Sequence, residues 1–212
     1  MHEQLDALRE VRDFLEQHRL RHLVIGGIAN AAWGRPRATR DADFKVLLGD
    51  RTIGEFVALV GTHFRFRIAE PVAFARRTYV VPIRASNRIP VDLVLGFLPY
   101  EQQAVERAVI TEYQNVTFPI CTAEDLIVHK AIWERERHWA DIEGVLIRQG
   151  DRLDQIYIEH WLEQFAEALE RPDLMGRYRN LRKEMESTRA ANGGPSPPEE
   201  AGSMRSNETD NR

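Results

Sequence analysis

A short apolar strand, His22-Leu23-Val24-Ile25, runs directly into Gly26-Gly27, and a segment of small and basic residues then leads to Asp41-Ala42-Asp43 at the head of a second strand. This order constrains the fold more than any other feature. Two glycines after a strand remove side chains, so that the backbone can approach another group closely, as in glycine-rich anion sites. Alternate residues of a strand share a face, so Asp41 and Asp43 project side by side. Like charges held together repel, and a bound cation relieves the repulsion.

A third carboxylate interrupts the apolar run Ile89-Pro90-Val91-Asp92-Leu93-Val94-Leu95. Asp92 is costly inside a strand unless it is paired or ligates a metal. One reading gives it a salt bridge to Arg84 or Arg88 across a hairpin. The other joins it to Asp41 and Asp43 as a metal ligand, and the upstream pair favours that second reading. Two cations about 3.5–4 Å apart can hold the attacking and leaving oxygens of an in-line phosphoryl displacement.

Around this centre the pattern predicts an amphipathic helix over residues 3–18, a strand at 22–25, a short helix carrying Ala29, Ala31 and Ala32, a strand over 42–48 and a helix from Ile53 to Val60. Thr78 to Arg84 and Ile89 to Leu95 read as a hairpin turning at Ser86-Asn87. From residue 123 onward the pattern is helical, in three or four helices, with Ile156, Ile158, Trp161, Leu162 and Phe165 on one apolar face. The expected division is a core over 1–121, a helical subdomain over 122–188 and a disordered tail over 189–212, rich in Gly, Pro, Ser and Asn. The fold class is α/β (α+β), a small mixed sheet flanked by helices and followed by a helical region.

A formal charge of −4 argues against a globally basic coat for nucleic acid, leaving local clusters such as Arg35, Arg37, Arg40 and Lys45, or Arg76, Arg77, Arg84 and Arg88. One cysteine, Cys121, and no continuous apolar leader point to a cytoplasmic protein without membrane association. Gly-Lys-Ser/Thr and Gly-x-Gly-x-x-Gly are absent, the seven histidines form no helical ligand pair, and no serine sits in a nucleophile elbow. Most histidines are expected at the surface. The four tryptophans are expected in packing, with Trp33 near enough to the glycines to touch a base.

Taken together, these motifs resemble the DNA polymerase β-like nucleotidyltransferase superfamily: Gly-Gly after a strand, Asp-x-Asp, and a later strand aspartate. Arg37-Ala38-Thr39-Arg40-Asp41-Ala42-Asp43 is similar to the Arg-x-Thr-x-Asp-x-Asp form of the abortive-infection toxin and minimal nucleotidyltransferase group. The downstream Lys130 and the Arg137–Asp141 segment are similar to that group's helical lysine and aspartate. The resemblance implies nucleotidyl transfer from a nucleoside triphosphate, with Asp41, Asp43 and Asp92 as catalytic and metal residues holding two Mg2+ ions, or Mn2+ in their place. It also implies nucleotide binding by Gly26, Gly27, Arg37, Thr39, Arg40 and Lys130, in a cleft between sheet and helices.

The acceptor implied is a transfer RNA or a hydroxyl on a partner protein, in a toxin–antitoxin or phage-defence setting with a cognate regulatory partner. A small molecule such as an aminoglycoside is the alternative. Lys45 departs from the pattern. It shares the strand face of Asp41 and Asp43, where its ammonium either competes with cations for them or contacts a triphosphate. Were it to replace a metal, the protein would be a catalytically silent nucleotide-binding module.

Overall fold

A computed structural model describes residues 2–39, 41–133 and 135–191. The elements run α1 (His2–Gln17), β1 (His22–Ile25), α2 (Gly26–Trp33), β2 (Ala42–Leu47), α3 (Ile53–Gly61), β3 (Arg65–Phe66), α4 (Pro71–Thr78), β4 (Val80–Arg84), β5 (Pro90–Gly96), α5 (Pro99–Glu106), β6 (Val109–Tyr113), β7 (Val116–Ile120), α6 (Ala123–Ala131), α7 (Glu136–Gln149), α8 (Gln155–Ala168) and α9 (Asp173–Ala191). Among the described residues the strands form one mixed sheet, in the order β3-β4-β5-β2-β1-β7-β6. The architecture is the mixed sheet flanked by helices that the sequence predicts.

Period-two patterning sorts the two faces of the sheet. Ala42, Phe44 and Val46 of β2 and Val91, Leu93 and Leu95 of β5 are buried on one side. Asp43 and Asp92 therefore face the other. The helix α1 buries Leu5, Leu8, Val11, Phe14 and Leu15 in the same apolar cluster as those strands. The cluster continues through α6, α7 and α8, and the helical region reaches the sheet through contacts of α2 with α6 and α7.

Several expectations need correction. Thr78 ends α4, so β4 starts at Val80; Pro71 supplies the fixed backbone angle that suits a first helical turn. The hairpin β6–β7 turns on Gln114-Asn115, both left-handed at φ 48° and 62°. Ile156 is 85 % exposed and not on the buried face of its helix, and Trp133 is also exposed. His22 and His129 are buried. Helix α9 continues to Ala191, past the expected start of the tail at 189, and residues 192–212 lie outside the described residues. No helix among the described residues is long and apolar enough to cross a membrane.

Candidate active site

Parallel pairing of β2 with β5 sets Asp43 opposite Asp92 in register. On neighbouring parallel strands such partners share a face, so the two carboxylates lie next to each other. Asp41 stands two residues before Asp43, and its Oδ1 accepts a 2.6 Å hydrogen bond from the Thr39 hydroxyl. Burial beside Asp41 and Asp92 pushes the Asp43 carboxyl up to about 7, against the opposing pull of Lys130 and a hydrogen bond from the Gly27 backbone. Burial also raises the Asp92 carboxyl above its ordinary value, against the pull of Arg67.

The glycines have a steric reason that the sequence does not show. A Cβ on Gly26 would stand 1.9 Å from Asp43 Oδ2, and one on Gly27 2.6 Å from Thr39 Oγ1. Gly26 is also left-handed at φ +69°, which favours glycine. The pair thus makes room for Asp43 and Thr39 at the start of α2.

Lys130 of α6 and Arg37 of the α2–β2 segment form a basic group held by Asp141 of α7. Lys130 Nζ donates to Asp141 Oδ2 at 2.7 Å, and Arg37 approaches both Asp141 oxygens at 3.0 and 3.2 Å. Burial works against the Asp141 charge, yet hydrogen bonds from Arg37 and Lys130 hold its carboxyl below the usual range. His138, in the same region, is pushed down to about 4 by burial, Lys130 and Arg137, so its imidazole is neutral at pH 7. Arg40 lies outside the described residues.

Lys45 is already engaged within the protein. Its ammonium pairs with Glu101 on α5, and both side chains are largely buried. Glu101 in turn accepts from the backbone N–H groups of Phe97 and Leu98, fixing the start of α5. Trp33 donates from its indole to the Cys121 carbonyl at 2.7 Å.

The partner of Asp92 is Arg67, in place of Arg84 or Arg88 across the hairpin. Sequence reasoning missed it because Arg67 reaches the site only through the two-residue strand β3, which carries no periodic signal. Asp141 as the shared partner of Arg37 and Lys130 was equally hidden, since the three come from separate segments. As the side chains stand, no group of three or more His, Cys, Asp or Glu residues among the described residues is arranged to hold a metal ion. Asp92 is turned instead toward its guanidinium.

Comparison with known proteins adds an independent line. The family described as nucleotidyl transferase of unknown function (DUF2204) matches residues 4–180. Among solved structures the chain is similar to a lincomycin-bound lincosamide antibiotic adenylyltransferase, LnuA (13 % identity, TM-score 0.44, covering 66 % of this chain and 94 % of that one). It is similar too to the antibiotic-resistance factor ANT(2'')-Ia (16 %, 0.43, 90 % and 95 %). A third is an antigenic nucleotidyltransferase-like protein from Paracoccidioides brasiliensis (14 %, 0.45, 84 % and 93 %). No curated protein matches the sequence.

Proposed function

The chain belongs to the nucleotidyl transferase family that matches residues 4–180, and from that premise we propose that it moves a nucleoside monophosphate from a nucleoside triphosphate to a hydroxyl acceptor. In such a transfer the acceptor oxygen bonds to the α-phosphorus, the bond to the bridging oxygen breaks, and pyrophosphate leaves. The observation that carries the reading is the paired register of Asp43 and Asp92 with Asp41 beside them.

The chemistry of the donor set suits divalent cations once Asp92 turns from Arg67: as the side chains stand the three carboxylates do not surround an ion, but Asp43 and Asp92 are register partners, and burial beside like charges raises Asp43 to about 7, a repulsion that a cation relieves. Asp41, Asp43 and Asp92 would hold Mg2+ or Mn2+, which when bound neutralises phosphate charge and lowers the barrier to attack. Asp92 takes the proton of the acceptor hydroxyl. Lys130 and Arg37, already oriented by Asp141, stabilise charge on the departing pyrophosphate. Gly26 and Gly27 line the phosphate side with Thr39.

The acceptor favoured is RNA, such as the end of a transfer RNA. None of Arg65, Arg76, Arg77, Arg84 and Arg88 forms an ion pair with a described residue, whereas Arg9, Arg12, Arg21 and Arg35 all do. Arg84 and Arg65 are register partners, and Arg84 lies two residues from Pro82, the partner of Asp92. They therefore share the face of Asp92. The exposed apolar residues Phe97 and Leu98, which a protein acceptor would use, sit beyond the end of β5, roughly 16–20 Å from Asp92 at about 3.3 Å per residue, and Tyr79 lies roughly 10 Å from Pro82 on the same reckoning, whereas Arg84 is two residues from Pro82. A toxin–antitoxin or phage-defence role with a cognate protein partner is consistent with RNA modification. The pairing of Lys45 with Glu101 removes the feature that supported a silent binding module.

The test is transfer of label from each α-labelled nucleoside triphosphate, with Mg2+, to total RNA, cell protein or an aminoglycoside mixture. The expected result is label on RNA that disappears in Asp41→Ala/Asp43→Ala. Label on protein or on the antibiotics replaces the RNA reading, and binding of triphosphate without any transfer overturns the enzyme reading.

A further inference from the structure

Three neighbouring strands place one guanidinium on one carboxylate. The Arg67 backbone N–H donates to the Pro82 carbonyl at 3.0 Å, and Pro82 is the register partner of Asp92. Hydrogen bonds at Tyr79–Leu95 and Ala85–Ile89 make the odd-numbered residues of β4 the bonded partners of β5, so Pro82 and Asp92 form a close, non-bonded pair. Proline has no N–H to return a bond to Arg67. The pairing of β3 with β4 therefore stops there, and the Arg67 side chain crosses the short proline ring to reach Asp92 Oδ1. Both side chains remain partly open, at 27 % and 29 % exposure. Among the described residues this is the one ion pair made by any of the three site carboxylates.

We propose that Arg67 is a displaceable counter-ion of Asp92. It is a positioning residue that keeps Asp92 turned aside until a divalent cation binds, and releases it when one does. The proposal rests on the reading of Asp41, Asp43 and Asp92 as the cation-holding group. Arg67 has a loose backbone tether and an accessible guanidinium, so the exchange needs no unfolding of the sheet. A structural ion pair and a displaceable one differ in sign. Loss of a merely structural partner leaves cation binding unchanged or weaker, whereas removal of a competing cation strengthens it.

The experiment is titration of the full chain with Mn2+, free ion being read by electron paramagnetic resonance. Arg67→Gln is expected to bind about tenfold tighter than the wild type, the size expected for one hydrogen-bonded charge pair, with Arg67→Lys near the wild type. The rise in Tm on adding Mn2+ is expected to be larger in Arg67→Gln. Equal or weaker binding by Arg67→Gln, with wild-type binding abolished in Asp41→Ala/Asp43→Ala, overturns the exchange and leaves the cation reading intact. Binding that survives Asp41→Ala/Asp43→Ala, or no binding by any form, overturns both. A measurement on the wild type alone covers the case in which Arg67→Gln fails to fold: the Arg67 side-chain N–H resonances, assigned by their loss in Arg67→Lys, should exchange faster with water once Mg2+ is added. Resonances unchanged at saturating Mg2+ overturn the proposal.

Discussion

The two charged groups of the site, one on the sheet and one built around Asp141 on the helices, handle charge in opposite ways. On the helical side one carboxylate, Asp141, serves two cations, so every charge has a partner and the group keeps a net charge of +1. On the sheet side Asp41, Asp43 and Asp92 crowd together, with Arg67 meeting one of them and Thr39 offering a hydroxyl to another. A group that is satisfied internally fixes geometry. A group that is not satisfied stores a demand for a ligand, and burial strengthens that demand because water can no longer screen the repulsion.

The largest effect is expected from breaking the satisfied group. Asp141→Ala leaves Lys130 buried without its acceptor and beside Arg37, and should cost about 3–5 kcal/mol in urea denaturation, as for other buried pairs deprived of one partner. A loss under ~1 kcal/mol would mean that the group is not held together by Asp141. The second effect has the opposite sign. Asp43 carries a carboxyl raised to about 7, so the folded protein holds a proton between about 4 and 7 that the unfolded chain has released. Stability contributed by the protonated form is complete at low pH and lost as pH rises toward and through 7. Without divalent cations, Asp43→Asn should thus exceed the wild type by on the order of 2–4 kcal/mol at pH 8, converging with it near pH 4. Thermal melts across that range with a chelator present decide it. The smallest effect refines the picture of Asp41: Thr39→Val removes the 2.6 Å hydrogen bond to its carboxylate and a longer one, 3.4 Å, to its carbonyl, and should cost about 1 kcal/mol in the same melts.

How far the sequence foretold this arrangement depended on the range of each contact. The run from β1 through Asp43 was legible because its parts are adjacent and each has a local signature: apolar strand, paired glycines, alternating carboxylates. Asp92 was legible as an anomaly, a charge inside an apolar strand. The partner of Lys45 was hidden for the converse reason. Period two put the lysine correctly on the face of the aspartates, but its partner comes from α5, an element with no marked periodicity, and the nearer charge wins. Arg67 belongs to Arg-Phe-Arg-Ile, which gives no cue until β3 is paired and Pro82 is seen to end that pairing. The β6–β7 hairpin did carry a signal, β-branched residues around Gln114-Asn115, with Asn suited to a left-handed turn.

The parallel pairing of β2 with β5 also bears on when the centre forms as the chain folds. Local hairpins close early and at small entropic cost, whereas β2 cannot meet β5 until α3, β3, α4 and β4 have all been laid between them. Asp43 and Asp92 therefore come together only when this crossover shuts. Their mutual repulsion burdens that closing step and none of the local ones, so a divalent cation in the refolding buffer is positioned to speed the step that completes the sheet.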